Sequence, residues 1–586
     1  ATMYEKASNI LTELAPDTFR SARAWHGLAL VAETTGDAKT ANQHYVRAVD
    51  ALQRQQERLG GSDESRARIK ARFMNIYKDY IRFLLEAGEP ERAFEILEQS
   101  RAKELSNMLA ERDLVFAESV PPELERERRQ LGKRYEDQQR ELYSTTDASR
   151  REELQTILLA IRREQDAMQR RLRDEAPGLA RLKYPGSHSF EDYRQAVPAG
   201  AVAVTFNLNE TYTDSFLIDR HGQLHVARLE IGEDALREQV RRFRFLIDAG
   251  RWDSEPGAPL LDLAARLYQE LLEPLQSQIE DADLLLIVPD GALQVLPFAA
   301  LRRGNGDAGQ YLAEWKPSLL VSSLGIYSQL AQRSDSQKRG ELRGLVAFGD
   351  PDFLPATESV ATVNKRDGYN LTQLAPLPWT ATEVKNIADT YPDSSVIYTG
   401  AEATEERAKS VPGSTRFLHF ATHAMLDVWH PLDTAIVLSV PDNPENSAEN
   451  GLLSAWEIYE SLRIDAELVT LSACETALGG SYSGEGLLGL TRAFQYAGAS
   501  TVMASLWNIN DRSTSDLMTH FYEATAEGLP LAEALQQAQL AMLRGESLAP
   551  RSLRARLKRW LQAGGSTASL QHPYHWAGFV MNGRGD

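Results

Sequence analysis

The chain has 586 residues, a single cysteine, 42% hydrophobic and 25% charged residues, and a formal charge of −19 from 64 Lys and Arg against 83 Asp and Glu. Such a length accommodates roughly three to four domains with large cores, and no apolar run approaches the roughly 20 residues of a membrane span. The acidic balance argues against nucleic acid as the main ligand, because phosphate binding needs a concentrated positive face; one cysteine excludes an internal disulfide framework and suits a reducing, cytoplasmic compartment.

Residues 1–118 read as helical repeats. Trp25, Leu28, Ala29, Ala32, Gly36, Ala41, Tyr45 and Ala48 fall at the spacings of a tetratricopeptide repeat: bulky and small residues on a first helix, a glycine turn, then alanine, aromatic, alanine on a second. Tyr77, Ile81, Leu84, Gly88, Ala93 and Leu97 form another unit with longer helices. One repeat length before Ala41 and Tyr45 stand Ala7 and Leu11, so the chain is expected to begin inside an earlier repeat, as a piece of a longer protein. Stacked repeats expose concave surfaces for partner proteins.

Residues 119–183 are dense in Arg, Glu and Gln but keep two apolar stripes. Leu124, Leu131, Tyr135 and Leu142 form one, and Leu154, Ile157, Leu158, Ile161, Met168 and Leu172 the other, with Ser144 to Ser149 as the turn. The pattern predicts an antiparallel helical hairpin. Texture changes at Tyr184-Pro-Gly-Ser, and residues 184–335 read as a strand-and-helix unit with strands at Ala201 to Phe206, Asp214 to Ile218 and Leu284 to Val288. It carries no evident nucleophile.

Across residues 336–586 strands and helices alternate. Strands are expected at Leu345 to Gly349, Ser395 to Tyr398, Arg416 to Thr422, Ala435 to Ser439, Leu468 to Ser472 and Thr501 to Leu506, with helices near 380–390, 453–461, 485–497, 512–526 and 531–544. This alternation predicts a mostly parallel sheet covered on both faces. The basic run Arg551 to Arg559 alternates with Leu553 and Leu557, as the solvated side of an amphipathic helix does.

The lone Cys474 closes the apolar run Leu-Val-Thr-Leu-Ser-Ala, and His423 closes a similar run 51 residues earlier. Sites in open α/β sheets gather at the carboxyl ends of strands. A thiol and an imidazole meeting there form a nucleophile and its base, with loop N–H groups available as an oxyanion hole. His419 and His423 stand four apart, which on a strand is about 13 Å and too far for a shared metal. Gly484-Glu-Gly486-Leu-Leu-Gly489 satisfies a dinucleotide fingerprint, but nine residues separate it from Cys474, whereas a nucleotide-binding turn begins directly after its strand. No cofactor or metal is expected. Asp427, His430 and Asp433 follow His423 and either line a cleft or face solvent.

These residues resemble a known family. His-Phe-Ala-Thr-His423-Ala, Leu-Ser-Ala-Cys474-Glu-Thr, Gly-Glu-Gly486-Leu, the segment Phe494 to Trp507 and the closing His575-Trp-Ala-Gly-Phe-Val are similar to CHAT domains, caspase-like cysteine peptidases of the clan of separase, caspases and gingipains, often preceded by tetratricopeptide repeats and common in bacteria. The resemblance implies a multidomain chain: an all-α repeat region and helical hairpin, then an α/β caspase-like sandwich whose first half is pseudo-protease-like. It implies an endopeptidase in which Cys474 attacks as thiolate, His423 manages the proton, and the N–H groups of Cys474 and Ala424 hold the oxyanion. Trp507-Asn-Ile-Asn-Asp511 is similar to the separase segment whose last aspartate receives a P1 arginine. Asp511 either plays that part or caps the following helix, and Glu485 is a second candidate. Because Cys474 precedes Glu-Thr, the aspartate specificity of caspases is not carried over. The expected partners are a protein substrate and an activator or inhibitor protein on the repeats; the alternative is a catalytically silent caspase-like scaffold.

Overall fold

A computed structural model describes residues 18–58, 63–110, single helical positions between 127 and 141, and 147–175, 189–253, 255–304, 308–336, 343–352, 374, 377, 379–426, 431–440, 449–475, 485–507, 511–545 and 570–585. The chain divides into two compact units, Ala1–Asp192 and Tyr193–Asp586.

The first unit is helical. In the helix Phe19–Thr34, Thr18 and Ser21 cap one another reciprocally, which satisfies N–H groups that the first turn leaves free. Gly36, at φ +80°, makes the turn into the helix Ala38–Arg58; a β-carbon is disfavoured there. Ala29, Ala41, Tyr45 and Ala48 are fully buried, as the repeat pattern requires. Tyr45 stacks on Tyr80 of the helix Asp63–Glu86 with ring centroids 5.1 Å apart. Arg82 holds Glu33 at 2.6 Å, and Tyr45 donates to Glu33 at 2.8 Å, so one carboxylate ties consecutive repeats. The burial of these positions follows the helix-pair pattern read in the sequence. Farther on, Glu127 pairs with Arg171, Arg134 with Glu164 and Glu141 with Arg150. The partners run in opposite order, the signature of antiparallel neighbours. Leu154, Leu158 and Ile161 of the helix Ala148–Glu175 are buried beneath them.

The second unit is built on one sheet. Its strands are β1 (Ala201–Leu208), β2 (Thr213–Ile218), β3 (Leu224–Leu229), β4 (Leu284–Val288), β7 (Ser318–Leu320), β8 (Arg343–Gly349), β9 (Ser395–Thr399), β10 (Thr415–Met425), β11 (Ala435–Val437), β12 (Leu452–Ser454), β13 (Leu468–Glu475), β14 (Thr501–Ser505) and β15 (Phe579–Gly583); β5 (Arg302–Arg303) and β6 (Gln310–Tyr311) form a separate small ribbon. The order β9-β8-β10-β13-β14 is parallel throughout. β15 returns antiparallel to β14 and joins β7, which leads through β4 and β1 to β2 and β3. The strand-and-helix unit and the segment carrying Cys474 and His423 thus share one sheet, of 13 strands among the described residues. β11 and β12 extend the edge of β10 beyond the point where β8 stops.

Side chains alternate between the two faces of a strand, so β10 sorts its neighbours. Phe417 and His419 meet Tyr522 of the helix Asp511–Ala526, and His419 also meets Glu383 of the helix Thr380–Thr390. Phe420 faces the opposite way, against Phe348 and Phe494 of the helix Glu485–Ala497. The result is an α/β/α sandwich with a mostly parallel sheet.

Candidate active site

β10 and β13 run parallel and in register from Phe417↔Leu468 to Ala424↔Glu475, and within that ladder His423 pairs directly with Cys474. Registered residues of parallel neighbours share a face. The pair His419↔Thr470 demonstrates it here, since both side chains reach the Tyr522 hydroxyl, at 3.1 and 3.0 Å. Four residues on, with two full alternations completed, the positions of His423 and Cys474 fall on that same face at the carboxyl edge of the sheet. His423 is 3% exposed. Among the described residues, β14 pairs with β13 as far as Leu471↔Ala504, whereas β10 continues beside β13 to Glu475.

Beyond β14 the chain is pinned. Leu506 N–H donates to Gly578 at 2.8 Å, its carbonyl accepts from Arg244, and the Trp507 indole donates to the Tyr574 carbonyl at 3.1 Å. Trp507 is buried. Asp511 is the first residue of the helix Asp511–Ala526. Tyr522 lies eleven residues along it, about 16 Å at 1.5 Å per residue, and its hydroxyl touches β10 four residues, about 13 Å, short of His423. The helix therefore begins near the level of the His423↔Cys474 pair and on its face. The helix that starts at Glu485 packs on the other face, with Phe494 against Phe420.

Ala424 is in register with Glu475 on one side and Ile436 on the other. Its N–H points at one of two neighbouring strands. Asp433 ends the short turn Pro431–Asp433; Asp427 and His430 lie outside the described residues, as do Gly484, Ala7, Leu11 and the basic run at 551–559.

His419, completely buried, is committed to a network. Its Nε2 meets Glu383 at 2.8 Å and its Nδ1 the Tyr522 hydroxyl. Burial raises the Tyr522 pKa well above the ordinary phenol range, so Tyr522 donates. With the carboxylate at Nε2, the ring carries a proton there and accepts from Tyr522 at Nδ1. Sequence reading passed over Glu383 and Tyr522, and no local pattern marks either. His575 is a third residue of this region: its Nδ1 lies 3.1 Å from the Ser513 hydroxyl in the first turn of the Asp511–Ala526 helix, and burial, with neighbouring His572, depresses its pKa to about 4. Among the described residues, the one carboxylate cluster with metal-like spacing is Glu405, Glu449 and Glu457. Lys409 occupies its centre at 2.7, 2.7 and 3.0 Å from the three.

Comparison with known proteins accords with the motifs. Tetratricopeptide repeat protein 28 of Homo sapiens and that of Mus musculus are each 24% identical over 358 residues, 54% of this chain. The chain spans only 13% of the length of those relatives. Among solved structures, the separase–securin complex of Saccharomyces cerevisiae aligns over 99% of this chain and 48% of that one, at 10% identity and a TM-score of 0.38. The Arg-specific cysteine proteinase gingipain R aligns over 60% and 75%, at 9% identity and 0.28. The family profile for the CHAT domain matches residues 261–584, more than half of the chain. With tetratricopeptide repeats ahead of a caspase-like sheet and that profile along most of it, the chain belongs to the CHAT domain family.

Proposed function

We propose that this CHAT protein is a cysteine endopeptidase of the caspase and separase-like clan, working in a reducing cytoplasm on a protein substrate. The observation that carries the reading is the direct register of His423 with Cys474 on adjacent parallel strands, at the edge where such sheets hold their sites. His423 takes the thiol proton, and the Cys474 sulfur adds to the scissile carbonyl. The tetrahedral oxyanion is held by N–H groups, of which those of Cys474 and Ala424 are the candidates. Collapse expels the amine, which receives the proton from His423, and water then hydrolyses the acyl-enzyme with the imidazole again as base. Asp511, the first residue of the helix that packs on His419 through Tyr522, is the candidate for a P1 arginine, which a carboxylate recognises by charge and a forked hydrogen bond. Trp507 serves as a fixed wall, since its indole is already committed to Tyr574. The repeats recruit or sense a protein that gates the site.

The test is a panel of fluorogenic peptides with Arg, Lys or Asp at P1, with and without candidate activators. Hydrolysis by the wild-type chain that Cys474→Ala and His423→Ala each reduce by about a thousandfold or more is expected; equal rates for wild type and Cys474→Ala on every peptide would refute the reading. One observation favours a second reading, that of a silent scaffold. His423 is almost wholly buried and the Ala424 N–H lies within the ladder, so a working site requires the edge to open. Absence of turnover under every activating condition selects the scaffold.

A further inference from the structure

We propose that Tyr522 is a positioning residue that sets the P1 preference by fixing how far the Asp511–Ala526 helix reaches along the sheet; the inference rests on Asp511 being the P1 acid. The Tyr522 hydroxyl sits over the seam between the two strands that carry the dyad residues, bonded at 3.1 Å to His419 of β10 and at 3.0 Å to Thr470 of β13. Those two are themselves a registered pair, four residues before His423↔Cys474. Glu383 locks the far nitrogen of His419 at 2.8 Å. Leu517, Met518 and Phe521 of the same helix are completely buried, and Tyr391 to Thr525 at 2.8 Å and His575 to Ser513 at 3.1 Å also hold the helix; the phenol differs in bonding the dyad strands themselves, where apolar packing, being non-directional, resists sliding less than a directional hydrogen bond does. The phenol is thus a polar stop along the helix axis. Asp511 stands eleven residues away on a stiff helix, so a slip at Tyr522 carries over to it in full. A misplacement of about 1 Å is enough to cost a large factor in a charge-reading pocket.

The experiment uses the full chain and paired fluorogenic peptides that differ only in Arg or citrulline, its neutral isostere, at P1. Tyr522→Phe keeps the ring and deletes both bonds; Thr470→Val deletes one of them with little change of shape, and serves if Tyr522→Phe folds poorly. The expected result is an increase of about tenfold in KM for the arginine peptide, with kcat within about twofold and the citrulline KM unchanged. An Arg-to-citrulline ratio of kcat/KM equal to wild type in both variants overturns the proposal. So does an equal loss on both peptides, which marks general loosening. Binding to the Cys474→Ala chain, followed by fluorescence anisotropy, separates this inference from the peptidase reading. If wild type turns over neither peptide but Cys474→Ala prefers the arginine peptide and loses that preference with Tyr522→Phe, the positioning role stands without the activity. Equal binding of the two peptides with Tyr522 intact, or a preference that survives Tyr522→Phe, overturns it.

Discussion

The pair Glu383–His419 offers the sharpest test of how the sheet is held to its covering helices. Both side chains are buried, at 1% and 0% exposure, and their bond is 2.8 Å. Glu383→Ala removes a hydrogen bond to a carboxylate, worth about 1.5–3 kcal/mol, and leaves the His419 Nε2–H without an acceptor, at about 1–3 kcal/mol more. A loss of about 4 kcal/mol follows. Glu383→Gln keeps an acceptor oxygen in place and should cost only about 1–2 kcal/mol, the difference between a charged and a neutral acceptor. The double variant Glu383→Met with His419→Leu removes donor and acceptor together. Tyr522 retains Thr470, and the double is expected to lose less than Glu383→Ala alone, since replacing both partners of a buried hydrogen bond by apolar groups of similar shape can be nearly neutral. Calorimetry of the full chain reads this, because the two units need not melt together. At about 2.1 cal/mol/K per residue, 4 kcal/mol lowers the transition of the larger unit by about 5 °C, with the helical repeat transition unmoved. A double variant as unstable as the sum of its singles would refute the idea that the pair is costly mainly when half of it is left.

Asp511→Asn separates P1 recognition from a helix-start role: a fall of about tenfold or more in the Arg-to-citrulline ratio of kcat/KM is expected from the first, and a stability loss of about 1 kcal/mol or less with unchanged ratio from the second. Acid should loosen the same helix start. His575 titrates near 4 in the folded chain, below its ordinary value, so the folded state binds fewer protons than the unfolded one between about pH 6.5 and 4. Its contribution is complete above that window and declines through it by about 1.4 kcal/mol per pH unit at most; His575→Gln should flatten this limb in a pH series of melting temperatures, and an unchanged slope would exclude His575 as its source. In the repeats, Arg82→Met should lower the first unit's unfolding free energy by about 1 kcal/mol, the pair being partly exposed. The Arg82 hydrogen bond depresses the Glu33 pKa, so this contribution is present at neutral pH and lost as pH falls below the ordinary carboxylate range; a variant as stable as wild type at pH 7 would remove the clamp from the account.

The parallel core was legible because its strands are apolar runs bounded by turns. β8, β9, β10, β13 and β14 all fall where those runs were read, as does the antiparallel β11 beside them. β7 and β12 have three residues each, too few to carry a period. β3, whose Leu-His-Val-Ala-Arg-Leu mixes polar and apolar positions at an edge, left no signal. The joining of the two α/β stretches into one sheet was also hidden. It depends on Asn582 pairing with Leu320, a contact between residues distant in sequence and with no mark in either neighbourhood. Cys474 and His423 were found as strand-end residues, but their adjacency is a matter of strand order, which composition does not encode. Glu383 and Tyr522 escaped for the same reason: each is an ordinary helical residue until the fold brings it to His419.

Chain crossings divide the helices that cover the sheet between its two faces. After β13 the connection passes through the helix Glu485–Ala497 on the face of Phe420; after β14 it passes through Asp511–Ala526 on the face of His419. The two helices are thereby divided by topology, because the side-chain period of two assigns odd positions of β10 to one face and even positions to the other. His419 and His423 share parity, yet the first is enclosed by Glu383 and Tyr522 while the second sits at the edge beside Cys474. A single-residue slip of β10 against β13 would pair Cys474 with Thr422 or Ala424 and turn the imidazole to the wrong side. The bonds of His419 and Thr470 to one hydroxyl oppose that slip, so the structural histidine guards the register on which the other depends.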